Sequence, residues 1–505
     1  LNLAECIALP AAVQPDKTAI IFADEHISFA TLDRRSRQVA SLLRRWGIGP
    51  GDRVGMVLPN VPQFAAVYYG ILYAGAIAVP MNVLYRAREF AFQIDDAEMK
   101  AVIAHTMVAG EAAKALRERP QVKFACVEVG EEPVEPEAGE SFLRLFHEAD
   151  DQFDMVQTNP DDVAVIIYGA ATDGRMRGAQ LTHFNLFQNA QTIREYALGY
   201  YPTDVCITVL PLFHGFGQST MMNAPLLAQS TIVLLPQFDP VSVAEAIHTH
   251  KATLLAAVPT MLHVLTHHRR AAEWDFSSLR VAISGGAALL PETGQAFTER
   301  FGIHVLEGYG LTETSPVVCW NPSVERNKPG SLGLPIWGVQ MRIQREDGGW
   351  AEPGEVGEIV VRGHNVMKGY LNCPEVNADV MRDGWLHTGD LGRTDEDGYT
   401  WFMGLKKEMI NRAGMNVYPK EVEAVLLEHP AVADAAVIGV PDAVRGEEVA
   451  ALVVLAPGVE ADPRDLAGYV REQIAAYKAP RKIHIVEHIP RKPDGRSDTA
   501  GIFGG

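Results

Sequence analysis

Cysteine is scarce in this chain and arranged so that it cannot staple a fold. Cys6, Cys126, Cys206, Cys319 and Cys373 are five in 505 residues, far apart, odd in number and without a Cys-x-x-Cys pair. That pattern argues against a disulfide framework and predicts reduced, mostly buried thiols in a cytoplasm-like compartment. No run of eighteen apolar residues occurs, and an acidic residue interrupts the N-terminus before a signal sequence could form, so a cytoplasmic protein with no integral membrane partner is expected. Positive charge is also in deficit, with 44 Lys and Arg against 63 Asp and Glu and a net charge of −19. Binding DNA, RNA or an anionic bilayer requires a positive surface, so nucleic acid is not an expected partner.

What is present is the composition of an ordinary globular chain, 47 % hydrophobic and 21 % charged, long enough to need more than one domain. Thr31 to Leu43 has an amphipathic helical period, Arg53 to Leu58 reads as a buried strand, Pro62 to Ala74 as a helix with proline in its first turn, and Gly75 to Pro80 as a strand. Strand-helix-strand order favours a parallel sheet. Further strands are expected at Val163, at Cys206 to Leu210, at Thr231 to Leu235, at Val281 to Ser284 and at Val305, with helical patterns between them. Glu131 to Glu137 is an acidic, proline-bearing segment that reads as a solvated loop.

After about Trp320 the pattern shortens into Gly- and Pro-punctuated runs such as Gly354 to Gly363, which predict antiparallel strands and a small barrel. A last segment has its own order: helix at Pro419 to Glu428, strands at Ala433 to Val440 and Glu448 to Leu455, helix at Arg464 to Ile474. The expected fold is therefore α/β. A large N-terminal domain of doubly wound sheets plus a small β-barrel, residues 1–403, precedes a small mobile α/β domain, residues 404–505, with Phe402 to Lys407 as the linker.

One stretch stands out chemically. Val163 to Tyr168 is an apolar run that ends abruptly in Gly169-Ala170-Ala171-Thr172-Asp173-Gly174-Arg175-Met176-Arg177-Gly178. A buried strand feeding such a turn is a common way to build a backbone cradle for phosphate.

Three other stretches point the same way: Tyr309-Gly310-Leu311-Thr312-Glu313-Thr314, Gly384-Trp385-Leu386-His387-Thr388-Gly389-Asp390, and Asn411 to Glu423. In this order and spacing, across nearly the whole chain, the four resemble the adenylate-forming superfamily of acyl-CoA synthetases, peptide-synthetase adenylation domains and luciferases, in type the fatty or aryl acid–CoA ligases. The resemblance implies ATP, Mg²⁺ and CoA as cofactors and a small carboxylic acid as partner, and leaves a homodimer open. The implied reaction joins the acid to AMP with loss of pyrophosphate. After rotation of the C-terminal domain, CoA thiolate displaces AMP.

It also implies roles, and the residue types suit them. Tyr309 offers a flat face to adenine, Gly286-Ala287-Ala288 lets backbone approach the purine edge, and Asp390 accepts from the ribose hydroxyls. Thr172, Gly174 and Arg177 belong to the phosphate loop with Gly310 nearby, Thr312 donates to the α-phosphate, and Glu313 is the Mg²⁺ ligand. His214 sits beside the acyl carboxylate, and Gly215, Gly285, Gly308 and Gly310 line an acyl pocket whose missing side chains predict room for a long or bulky group. Lys407 is the hinge, Gly414 the loop that enters for thioester formation, and Arg445 and Lys478, with Arg481 and Lys482, the cations facing CoA; a solvated basic face is the alternative reading of that cluster. His263 and His267 have the spacing of a helical metal pair, but no further ligand motif completes a site.

The chain departs from the family pattern at the phosphate end. Ala170 and Ala171 stand for hydroxyl and glycine, Asp173 for threonine, Met176-Arg177 for Pro-Lys, Leu405 for the arginine before the hinge, and Arg496 for the lysine that bridges acid and phosphate. Arginine keeps the charge but not the compact ammonium geometry. These substitutions predict impaired adenylation. The alternative is a non-adenylating relative that binds acyl-CoA or AMP as a sensor or partner subunit, or runs another thioester reaction.

Overall fold

The computed structural model describes residues 1–128, 138–170, 175–197, 199–406, 409–442 and 444–489. The expected loop at Glu131 to Glu137 lies outside them, as do Ala171, Thr172, Asp173, Gly174, Lys407 and Arg496.

Two wound sheets dominate. Among the described residues one has eight strands, with a parallel centre of Ile77–Pro80, Arg53–Val57, Ala101–His105 and Lys123–Val127, joined in parallel by Val163–Ala170. The other has nine, with Val305–Gly310, Val281–Ser284, Leu254–Ala257, Val205–Thr208, Thr231–Leu234 and Thr18–Phe22 parallel in that order. Strands buried on both faces read as continuous apolar runs, and Ala282, Ile283, Leu254 and Leu255 are all inaccessible to solvent.

Helix Pro62–Tyr73 lacks a polar stripe because it has no wet face: every residue but Gln63 is buried. It shares one core with strands of both sheets, including Val54, Ala78, Cys206 and Ile232. Its tyrosines carry their own hydrogen-bond partners inward, Tyr68 donating to Gln218 at 3.1 Å and Tyr69 to Asn223 at 2.8 Å. Helix Phe29–Arg45, by contrast, is amphipathic, begins where Ser28 accepts from the Thr31 amide, and ends in Arg44 and Arg45, favourable to its dipole.

The Gly- and Pro-punctuated region forms a five-stranded antiparallel sheet of Val339–Gln344, Gly357–Gly363, Trp385–Thr394, Met381–Arg382 and Thr400–Leu405. This corrects the expected linker: Phe402 to Leu405 are strand residues paired to Trp385–Thr394, so the chain leaves this sheet only after Leu405. A fourth sheet, built on the hairpin Val432–Asp442 and Gly446–Leu455 and backed by helices Pro419–Leu427 and Pro463–Gln473, makes the smaller C-terminal domain around its own core. Cys6, Cys126, Cys206 and Cys319 are free and buried, and Cys373 is half-buried. No helix of the described residues is long and apolar enough to cross a membrane.

Candidate active site

The site assembles at the carboxyl ends of two adjacent parallel strands. Val281–Ser284 runs into Gly285-Gly286-Ala287-Ala288, and Val305–Gly310 beside it carries Tyr309. Gly286 takes a positive φ of 78°, which a side chain would strain, and its exposed backbone faces outward.

Across from this edge, Asp390 lies on Trp385–Thr394, directly opposite Leu405. The Tyr309 hydroxyl donates to Asp390 Oδ2 at 2.5 Å, joining a sheet-end aromatic to a carboxylate 81 residues away. Burial pushes the Asp390 carboxyl up; the Tyr309 hydrogen bond pulls it back, nearby Glu313 and Glu358 push again, and it rests at about 6. Burial and Asp390 together raise the Tyr309 phenol, which stays a donor. Glu358 goes the other way. Burial would raise it, but Lys406 at 3.0 Å and His387 at 3.3 Å, with the Gly389 amide, hold it below the usual carboxylate range.

The second carboxylate, Glu313, accepts from the Tyr370 hydroxyl at 2.6 Å. Tyr370 is delivered by strand Gly369–Tyr370, which pairs with Met176–Thr182, the strand leaving the expected phosphate loop. Arg177, opposite Gly169 in that hairpin, bears electrostatically on the same Tyr370 hydroxyl. The described end of the loop and the proposed metal ligand therefore share one neighbourhood, while Thr172 and Gly174 lie outside the described residues. Thr312 opens the short turn Thr312–Thr314 and is half-buried beside them.

His214 caps the turn Gly215–Gln218; its side chain remains solvent-accessible, yet enough protein surrounds it that desolvation lowers its pKa. The expected roominess at the glycines is not what the packing provides. A Cβ on Gly308 would lie 2.2 Å from the Trp320 ring, one on Gly310 2.0 Å from the Pro316 carbonyl oxygen, and one on Gly285 3.0 Å from the Phe216 ring. Those missing side chains are filled by neighbours; only at Gly215, with nothing nearer than 3.7 Å, is there slack.

The C-terminal domain closes the site. Asn411 Nδ2 donates to the Gly286 carbonyl at 3.0 Å, and Asn411 Oδ1 accepts from the Gly414 amide at 2.9 Å. Gly414, at φ 84°, lies against Val258: a Cβ there would come 3.0 Å from Val258 Cγ1. The Arg445 carbonyl accepts from the Ala413 amide, while the Arg445 guanidinium lies near Asp442 and Glu448. Lys478 is placed differently from the exposed cation expected at the CoA side. It is 1 % exposed and bonded to Glu89 and Glu421, because its chain turns inward at the junction of the two domains. The His263 and His267 rings lie 4.2 Å apart, tilted by 30°, and the described residues contain no group of three or more metal-ligating side chains.

Tyr370, Asn411, Glu358 and Glu89 were missed by sequence reasoning. Asn411 stands at the start of a quoted motif and was legible; Tyr370 and Glu89 carry no local signal beyond Glu89 three residues after Arg86 at a helix start.

A glycine loop and an aromatic at parallel strand ends, faced by two carboxylates, define an α/β protein of the nucleotide-binding class. Residues 8–371 match the AMP-binding enzyme family, and residues 421–496 match the AMP-binding enzyme C-terminal domain. The chain belongs to that family, the adenylate-forming group its motifs resemble. It is 36 % identical to a long-chain-fatty-acid–CoA ligase of Bacillus subtilis, over 96 % of this chain and 91 % of the relative. It is 34 % identical to a feruloyl-CoA synthase of an Amycolatopsis species, over 96 % and 95 %. Among solved structures, an amide bond synthetase from Marinactinospora thermotolerans superposes with a TM-score of 0.90 at 28 % identity over 99 % of each chain.

Proposed function

We propose that this chain is an ATP-dependent acid–CoA ligase that forms an acyl-adenylate from a fatty or aryl carboxylic acid and passes the acyl group to CoA. The observation that carries the reading is the docking of Asn411 and Gly414 onto Gly286 and Val258, beside Tyr309 and Asp390, in a chain of this family. The fatty and aryl acids are those named for its relatives.

In this reading adenine lies on Tyr309 against the Gly286 backbone, and Asp390, ionised, accepts from the ribose with the oxygen valence that Tyr309 leaves free. Thr312 donates to the α-phosphate as negative charge builds there, Arg177 and Arg496 supply cationic balance, and His214 orients the acid carboxylate. Glu313 is the carboxylate for Mg²⁺. One protein carboxylate plus substrate phosphates is a common donor set for this ion, and Tyr370 engages only one of the two Glu313 oxygens. Bound there, the ion would neutralise phosphate charge. In the second step the Gly414 loop lines the approach of the CoA thiolate, whose sulfur bonds to the acyl carbon as the bond to AMP oxygen breaks. The two moving parts are the N-terminal domain, whose last sheet the chain leaves only after Leu405, and the C-terminal domain beyond it, with Lys407 as the hinge.

Single-turnover assays with ATP, Mg²⁺ and a panel of fatty and aryl acids test this. Acid-dependent pyrophosphate release followed by CoA-dependent thioester is expected; nucleotide binding with neither product would overturn it.

A further inference from the structure

Glu89, Lys478 and Glu421 form a buried ionic cluster built from both domains. Lys478 Nζ donates to Glu89 Oε1 at 2.6 Å and to Glu421 Oε1 at 2.7 Å, and the three side chains are 1 %, 3 % and 9 % exposed. The Tyr85 and Tyr477 rings flank the ammonium at 5.0 and 5.9 Å. Glu89 is itself held, since its second oxygen accepts from the Arg86 amide at 2.8 Å and so caps helix Ala87–Asp96. Glu421 and Lys478 belong to the C-terminal domain and stay together wherever that domain goes. The Glu89 bond is the one that separation of the domains would break.

Breaking a buried pair strands an uncompensated charge, whereas forming it yields little net stability, so such a cluster acts through orientation more than through affinity. The ammonium keeps Glu421 in any arrangement, but only the docked one gives the buried Glu89 carboxylate its cationic partner. That same arrangement places Asn411 on Gly286 and Gly414 against Val258. A second ion pair crosses the same seam, Arg88 to Glu428 at 2.7 and 2.8 Å, but its side chains are 51 % and 42 % exposed, and solvent screens it.

We propose that Glu89 is a positioning residue for thioester formation: by receiving Lys478 in a buried pocket it registers the C-terminal domain in the orientation that holds the Gly414 loop in the site. This rests on the ligase reading above. It touches no substrate, and its effect falls on one half-reaction, because pyrophosphate release does not call on the docked loop.

The test uses the full chain and two separate assays, pyrophosphate release from ATP with acid, and thioester formation from preformed acyl-adenylate and CoA. Glu89→Gln keeps the shape and the Arg86 contact region but loses the charge. It is expected to slow thioester formation at least tenfold while pyrophosphate release stays within twofold; Arg88→Ala is expected to change neither by more than twofold. Spin labels on Met107→Cys and Val444→Cys, both exposed positions in different domains, report the orientation without any activity. One narrow distance distribution is expected in the parent chain and a broadened one with Glu89→Gln. Equal losses in both half-reactions, or an unchanged distribution with unchanged thioester formation, would overturn the proposal. A parent chain active in neither assay would sink the ligase reading alone, and the spin-label distances would still decide the role of Glu89.

Discussion

The Tyr309 hydroxyl and Asp390 Oδ2 lie 2.5 Å apart, and this bond ties strand Val305–Gly310 of one sheet to strand Trp385–Thr394 of another. Its consequence is electrostatic. A carboxylate 7 % exposed would otherwise resist ionisation more strongly, and the phenol donor is what keeps Asp390 near 6.

Nucleotide binding should therefore weaken in mild acid. In the proposed site Asp390 accepts from ribose as the anion, so the KM for ATP is expected to rise as pH falls through about 6. Tyr309→Phe removes the downward influence, and should move that midpoint up by about one to two units, since a hydrogen bond to a charged group is worth roughly 1.5–3 kcal/mol. For folding the sign is opposite: the folded state holds the extra proton between about 3.8 and about 6, so Asp390 costs stability as pH rises through that window. A pH series of KM in Tyr309→Phe and Asp390→Asn checks the binding statements, the second variant losing the dependence, and a pH series of melting temperature in the same variants checks the folding one.

Tyr370→Phe should impair adenylation without unfolding the chain. It deletes the 2.6 Å donor to Glu313 and leaves the ring packing in place. A lost hydrogen bond to a charged group predicts a fall of about 10- to 100-fold in pyrophosphate release. A melting temperature close to the parent's, alongside that fall, would separate the chemical role from a structural one.

Glu307 carries a prediction about stability alone. It is buried in Val305–Gly310, has one oxygen without a partner among the described residues and the other 3.4 Å from the Leu289 amide, and burial raises its carboxyl to about 8 against the partial relief of that amide. The folded state binds its proton between about 4.5 and about 8, so stability contributed by the neutral form is complete in acid and lost as pH climbs through that range. Glu307→Gln keeps a neutral acceptor at the same place. Its melting temperature should match the parent at pH 5 and exceed it at pH 8.5; equal curves at both would refute the buried-acid account.

Leu405 stands directly across the sheet from Asp390, where the family pattern has an arginine. A guanidinium there would reach toward ribose and phosphate, and Leu405→Arg is expected to raise the rate of pyrophosphate release about tenfold, equivalent to ~1.4 kcal/mol of barrier. No gain would show that this position does not limit adenylation, and attention would pass to Arg496 and Asp173.

Much of this protein was legible along the chain. Helix Pro62–Tyr73 and strands Val281–Ser284 and Val432–Asp442 follow from hydrophobic period and from proline placement, which act over a few residues. The four motifs place Tyr309, Glu313, Asp390 and Gly414 because each is a local run whose residue types suit one task. The expected linker failed for a reason just as physical: Phe402, Gly404 and Leu405 pair along a neighbouring strand, and strand pairing joins residues that are not neighbours in the chain.

By itself the sequence determined the fold class and the family, since these depend on short-range pattern. Tertiary structure alone decided what fills the space a glycine leaves, as Trp320 does at Gly308, and where a charge ends up. Lys478 read as a surface cation; 389 residues away along the chain, Glu89 meets it in a buried pocket. Burial and long-range pairing are properties of the packed molecule, and no local pattern encodes them.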